Sequence, residues 1–346
     1  MKIQQMYQIN LTTPAGATDI VVGELLSSRL RRLEQEPVLL IDENVLCQHT
    51  DMFEPYKSIT IPSGESYKTL QTVEILYREL VKLETDRTSL IVGVGGGLTT
   101  DVAGYVASTF LRGIQFGFIS TTLLGQVDAS IGGKNGVNLD GYKNMIGNIR
   151  QPSFVWCDLT LLGTLARKEY VSGIAEVIKY GLIKDAGFLE YLEDHMDSLL
   201  RQESGVLEHV VATSVSIKTD IVQKDEKESG IRKILNFGHT IGHAIERNNV
   251  LRHGEAVGVG MVLAARLSYL QGMLTTPDVD RVEQLVHSAG LPAHFKVDPE
   301  EIYQNIRKDK KRSGDDIHFI LLKGLGNTVI KPMALTELKS ILHDLC

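Results

Sequence analysis

The sequence is poor in cysteine: Cys47, Cys157 and Cys346 are the only three in 346 residues, odd in number and far apart. They supply neither a disulfide framework nor a paired-cysteine zinc motif, and they fit a reducing compartment. Basic residues are not in excess either. Thirty-six lysines and arginines against 43 aspartates and glutamates leave a formal charge of −7, which argues against nucleic-acid binding through a basic face. An anionic small molecule is still allowed, because a local basic pocket can form in an acidic protein. The opening stretch MKIQQMYQINLTTPAG lacks the apolar core of a signal peptide. No uncharged apolar run is long enough to cross a bilayer. The chain is therefore expected to be cytoplasmic and free of membrane contact. Internal repeats and low-complexity segments are also missing. What remains is the balance of an ordinary globular chain, 43% hydrophobic and 23% charged, with a length that suits two domains.

The two halves have different rhythms. PVLLIDEN (37–44) reads as a buried strand with a polar end. In LQTVEILYREL (70–80), Leu70, Val73, Leu76, Tyr77 and Leu80 share one helical face. TSLIVGVGGG (88–97) is a strand running into glycines, and IQFGFISTT (114–122) is a strand ending at a threonine pair. This alternation predicts an α/β domain with a Rossmann-like parallel sheet and ligands at its carboxyl edge. From DLTLLGTLARKEY (158–170) onward the helical period dominates, with helices expected over Glu169–Lys184, Gly187–Leu200, Gly205–Lys224, Ile231–Glu246, Glu255–Gln271 and Asp278–Ser288. IHFILLK and TVIKPM then suggest a late hairpin. The expected division is residues 1–155 and 156–346, with the junction near Gln151 and Pro152.

VGVGGGLTTDVAG follows a strand and opens a helix, so its free N–H groups suit a pyrophosphate. The G-x-G-x-x-G fingerprint nevertheless fails, since its sixth position is Thr100 counted from Gly95 and Leu98 counted from Gly93. A plain strand–helix turn capped by Thr99 or Thr100 explains the stretch as well. IPSGESYKTL adds Glu65 and Lys68, suited to a ribose hydroxyl and a phosphate, or else to a solvated i,i+3 pair. Thr121 and Thr122 suit either a nucleotide contact or a helix cap.

LNFGHTIGHAIERNNVLRHGEAVG (235–258) contains three histidines. His239 and His243, four apart on a helix, face the same way. They suit two metal ligands, or one ligand and one substrate contact. This is not the H-E-x-x-H protease motif, because position 240 is threonine. His253, near Glu255, offers a further ligand. In GIAEVIKYG (173–181) Glu176 lies amid Ile174, Ala175, Val177 and Ile178, and a carboxylate there must be paired, protonated or metal-bound. A surface pair with Lys179 and solvated imidazoles are the bland alternatives; two histidines with one glutamate favour a metal site over them. Lysines and arginines recur beside glycine or asparagine, above all Lys134, Lys143 and Asn144 in QVDASIGGKNGVNLDGYKNMIG, with Asp128 nearby. Such backbone with lysine is a cradle for phosphate or carboxylate, to which Arg112, Lys218, Arg232 and the Lys310–Lys311 pair are candidates to add.

The order of motifs resembles the 3-dehydroquinate synthases of the sugar-phosphate cyclase group. GES.YK, the glycine triplet, TTLLGQVDASIGGKNGVN, YKNMIG, AEVIKYG, FGHTIGHAIE, HGEAV and DKK follow one another over most of the chain. The resemblance implies an NAD-binding α/β domain joined to a mainly α-helical domain that binds zinc or cobalt and substrate. It implies Glu176, His239 and His253 as metal ligands, which leaves His243 for the substrate. It assigns Lys134, Asn144, Lys179, Asn236 and Lys310 to substrate carboxylate, hydroxyls or phosphate, with Arg112 supplied by the other subunit of a homodimer. Asp128, Lys179, Lys218 and Arg232 would position the reacting carbon chain. Glu65, Lys68, Gly96, Gly97, Asp101, Thr121, Thr122, Lys134, Lys143, Leu161 and Thr164 would line the NAD site, with Asp42 near its adenosine. The sequence departs from the family pattern at Thr100, where glycine is usual, at Ser120, where proline usually precedes the threonine pair, and at Asn135, where threonine is commoner. The first is expected to tighten the pyrophosphate turn and weaken NAD.

The implied reaction takes 3-deoxy-D-arabino-heptulosonate 7-phosphate to 3-dehydroquinate and phosphate, in the shikimate route to chorismate and aromatic amino acids. It comprises transient oxidation at C5 by NAD, β-elimination of phosphate, reduction and an internal aldol closure, with the phosphate of the substrate serving as base. Related architectures carry other chemistry: a sister cyclase making 2-deoxy-scyllo-inosose or an epi-valiolone, a metal-dependent polyol dehydrogenase, or an NAD-sensing module without turnover. The clustered cations Lys134, Lys179, Arg232 and Lys310 speak against the last.

Overall fold

The β-branched and leucine runs at 38–41 and 90–94 are buried, as expected of a sheet covered on both faces, and the first half as a whole forms short strands. They are β1 (Tyr7–Thr13), β2 (Gly16–Gly23), β3 (Pro37–Asp42), β4 (Ser58–Ile61), β5 (Leu90–Gly95), β6 (Gln115–Ser120), β7 (Lys134–Leu139), β8 (Tyr142–Ile149) and β9 (Phe154–Asp158). The computed structural model describes residues 6–246, 251–296, 298–307 and 316–345. Seven strands form one sheet in the order β1-β2-β9-β6-β5-β3-β4. Neighbours are parallel throughout, except that β1 pairs antiparallel with β2, adding a hairpin that the alternating pattern did not announce. Leu39, Ile41, Val92, Val94, Ile119 and Trp156 share a buried cluster in this sheet. The helix over Leu70–Lys82 buries Val73, Leu76 and Leu80 as its periodicity predicts, whereas Leu70 is exposed. Residues 134–149 form a separate antiparallel hairpin, β7 with β8.

The chain divides into two compact units, residues 1–170 with 207–227, and residues 171–206 with 228–346. It therefore passes from one unit to the other three times in sequence. The second unit is mainly helical, with helices at Ala186–Leu200, His239–Glu246, His253–Leu270, Thr276–Ser288, Pro299–Arg307 and Leu335–Leu345. The late hairpin is present as β10 (Asp316–Leu322) and β11 (Thr328–Ala334), paired antiparallel. Its core joins Ile241, Ala244 and Ile245 to Leu263 and Leu267, Phe319 and Leu338.

One expected helix is divided. Ile231–Asn236 is a 3₁₀ turn, Phe237 is extended, and Gly238 takes φ +76 before the α-helix begins at His239. The break lets the chain pass against the helix over His253–Leu270, where a Cβ at position 238 would lie 2.6 Å from Met261 Cγ. Glycine interiors cost that helix up to about 1 kcal/mol each in propensity. Close approach repays them: a Cβ on Gly260 would sit 2.0 Å from Gly238 O, and one on Gly254 would sit 2.1 Å from Ser172 O.

Candidate active site

In the second unit, helix Arg167–Lys184 carries Ser172 and, one turn on, Glu176. Ser172 Oγ accepts the backbone N–H of Gly254 at 3.0 Å, which docks the start of helix His253–Leu270 there. Glu255 closes that helix start by accepting from Arg252 N at 2.8 Å, so it serves as a cap. The helix over His239–Glu246 turns Ile241, Ala244 and Ile245 into the core, which leaves His239, His243 and Glu246 on the opposite face at i, i+4 and i+7.

His239 Nε2 and His253 Nε2 lie 3.4 and 3.6 Å from Glu176 Oε1. Glu176 is fully buried, and that oxygen has no hydrogen-bond partner. Its other oxygen meets the ammonium of Lys179, itself only 1% exposed. His239 Nδ1 lies 3.0 Å from the carbonyl of Phe237 and His253 Nδ1 lies 3.3 Å from Glu246 Oε2. A carbonyl or carboxylate can only accept, so each Nδ1 carries a proton, which leaves Nε2 as the atom each ring can offer to a cation beside Glu176. Three atoms able to ligate a metal thus converge in a buried place. Ligands at about 2.0–2.2 Å around a tetrahedral ion are roughly 3.4 Å from one another, close to the spacing from Glu176 Oε1 to each Nε2. The residues fit a divalent cation.

The local field agrees at Glu176 and His239, while His253 must give up its Nε2 proton to bind a cation. Burial alone would raise the Glu176 carboxyl, but Lys179 and His239 outweigh it and hold it well below the usual range. Burial depresses the His239 imidazole despite Glu176. At His253 burial is overcome by Glu176 and Glu246 together, which push it up to about 9. His243 lies with its ring 5.2 Å from that of His239 and 5.9 Å from that of His253. It groups with Glu246 and His253 rather than with Glu176. Arg232 is buried, and Asn236 donates to Glu228 and to Lys233 O.

In the first unit, the NAD candidates follow the carboxyl ends of neighbouring parallel strands, the usual ligand edge of such sheets. Asp42 ends β3, Gly96 and Gly97 follow β5, Thr121 and Thr122 follow β6, and Leu161 and Thr164 follow β9. Gly96, not Thr99 or Thr100, caps helix Gly97–Thr109. A side chain at Gly96 would meet Thr122 Cγ2 at 2.8 Å and one at Gly97 would meet Ala129 Cβ at 2.9 Å, so this turn requires bare backbone. Thr100 is buried and folds its hydroxyl back onto Gly97 O at 3.1 Å. Asp42 accepts from Asn44 N and Ser63 Oγ, and Thr122 Oγ1 caps Gly125 N. Thr164 Oγ1 lies 2.8 Å from His49 Nε2.

Glu65 and Lys68 do not pair. Lys68, 5% exposed, reaches Asp101 Oδ2 at 2.5 Å and Asn144 Oδ1 at 2.6 Å. Glu65 accepts from Asn138 Nδ2, and Asn138 also accepts from Asn144 N, which fixes Asn144 at φ 53. Burial raises the Asp101 carboxyl, opposed by Lys68. Asp128 and Lys218 form a further pair at 2.7 Å. Lys134, Lys143 and Arg112 have exposed side chains, Arg112 on left-handed backbone at φ 71. Lys310 and Lys311 lie outside the described residues. Glu246 and Asn138 were not singled out from the sequence. Glu246 was signalled by its i+7 spacing from His239; Asn138 had no signal before its hairpin was known.

Family models described as 3-dehydroquinate synthase N-terminal and 3-dehydroquinate synthase C-terminal match residues 58–172 and 173–312. The chain is 43% identical over 289 residues to a 3-dehydroquinate synthase of Halorhodospira halophila, covering 81% of this chain and 82% of that one. Two solved structures superpose over 98% of this chain with a TM-score of 0.88. One is 2-deoxy-scyllo-inosose synthase complexed with carbaglucose-6-phosphate, NAD+ and Co2+, at 28% identity over all of that chain. The other is 2-epi-5-epi-valiolone synthase from Streptomyces hygroscopicus subsp. jinggangensis with NAD+ and Zn2+, at 27% identity over 99% of that chain.

Proposed function

The chain belongs to the 3-dehydroquinate synthase family, and from that premise we propose that it converts 3-deoxy-D-arabino-heptulosonate 7-phosphate to 3-dehydroquinate and phosphate. The observation that carries the metal-dependent reading is the convergence of two imidazole Nε2 atoms on the unpartnered Oε1 of Glu176. When bound, NAD supplies reversible hydride removal at the substrate's C5 alcohol and a zinc or cobalt ion supplies Lewis acidity.

Glu176, His239 and His253 hold the cation, and Lys179 keeps Glu176 ionised against the cost of its burial. His243 is left to contact the substrate. Glu65, Lys68, Asp101, Thr121, Thr122, Lys143, Leu161 and Thr164 hold NAD, with Gly96 and Gly97 admitting its pyrophosphate and Asp42 its adenosine. Lys134, Asn144, Lys179, Asn236 and Lys310 bind the anionic ends and hydroxyls of the substrate, together with Arg112 from a second copy of the chain in a homodimer. Asp128, Lys218, Lys179 and Arg232 position its carbon chain. The aldol closure joins two carbons of one chain, and fixing both ends of that chain holds the reacting carbons in a near-attack geometry. Among the described residues no helix is long and apolar enough to cross a membrane, and the proposed setting is the cytoplasm.

The deciding experiment follows phosphate release from the heptulosonate phosphate with NAD and zinc, with and without chelator. Release that chelation abolishes, with no NADH at steady state, is expected. Release only from a hexose or heptulose phosphate would assign the chain to a sister cyclase; accumulation of NADH with glycerol would make it a polyol dehydrogenase.

A further inference from the structure

His253 is held from two sides. Its Nε2 faces Glu176 Oε1 at 3.6 Å, and its Nδ1 faces Glu246 Oε2 at 3.3 Å. His239 is oriented differently, by the carbonyl of Phe237, which bears no net charge. The distinction matters because Lys179 sits on the second oxygen of Glu176 and offsets its charge. Without Glu246, this cluster would offer a divalent cation no net negative charge. The Glu246 side chain is 14% exposed, so solvent screens it only partly. Its place is set by helical register: it follows His239 by seven residues, on the face opposite the buried Ile241, Ala244 and Ile245.

We propose that Glu246 is a positioning residue for the metal: it fixes His253 in the tautomer that offers Nε2, and it restores the negative charge that Lys179 removes. Carboxylates hydrogen-bonded to the far nitrogen of a ligating histidine orient the ring and raise its basicity. The proposal rests on the assignment of Glu176, His239 and His253 as ligands.

The test measures zinc affinity of the full chain by competition with a chromogenic chelator, and the visible absorption of the cobalt-loaded chain. Glu246→Ala is expected to weaken zinc about 10–100-fold and to shift the cobalt bands. Glu246→Gln, whose amide oxygen still accepts from Nδ1–H but carries no charge, should fall between that variant and the parent; being isosteric, it serves if the alanine variant does not fold. Both variants binding zinc as the parent does, with an unchanged cobalt spectrum, would overturn the proposal. His253→Ala separates the two levels. If it loses zinc while the Glu246 variants keep it, only the orienting role falls; if it too keeps zinc, the ligand assignment falls first.

Discussion

Replacing Gly260 by alanine tests whether helix-to-helix contact sets the ligand geometry. A Cβ there would stand 2.0 Å from Gly238 O and 2.9 Å from Gly242 N. A carbon–oxygen approach of about 3.3–3.6 Å is the closest comfortable one, so the two segments must part by roughly 1.5 Å. Gly238 immediately precedes His239, and residue 260 lies on the helix that begins at His253. Metal–ligand distances tolerate only about ±0.2 Å, so the displacement pulls one imidazole out of reach. Alanine gains up to about 1 kcal/mol of helix propensity, against overpacking that typically costs about 1–3 kcal/mol. A modest net loss of stability is expected, with a loss of zinc affinity of tenfold or more. Chelator competition and thermal unfolding read the two effects separately. A Gly260→Ala chain with parental zinc affinity would refute the idea that this contact holds the ligands in place.

Glu176→Gln should abolish zinc-dependent phosphate release and remove the charge that Lys179 pairs with in the interior, at a cost of about 3–5 kcal/mol for a broken buried ion pair; chemical denaturation and phosphate assay check both. Lys68→Met should push the Asp101 carboxyl further up, since Lys68 is the main opponent of burial there, and should weaken NAD at least tenfold in equilibrium titration; unchanged affinity would remove Lys68 from the NAD site. Mild alkylation of the native protein followed by peptide mass analysis should label exposed Cys47 and spare Cys157, which is buried with its thiol pushed up by desolvation.

Much of this protein is local in origin. The strands ending at Asp42, Gly95 and Ser120 and the helix over Leu70–Lys82 were readable because side-chain periodicity reflects nearest-neighbour sterics and one buried face. Glu176 in an apolar helix was readable for a related reason: a carboxylate in such surroundings needs a charged partner or a metal wherever it lies. The family motifs then tied it to His239 and His253. What the sequence left open depends on segments far apart along the chain. Lys68 pairs with Asp101, thirty-three residues on, rather than with Glu65 three residues before it. The helix expected over 231–246 breaks at Gly238 because another helix packs there. Glu246 acquires its role only when His253 arrives on a different helix. Local pattern thus determined which residues must be buried or helical; packing between distant segments decided which atoms meet, since hydrogen bonds and ligand bonds act over a few ångströms in space, whatever the separation in sequence.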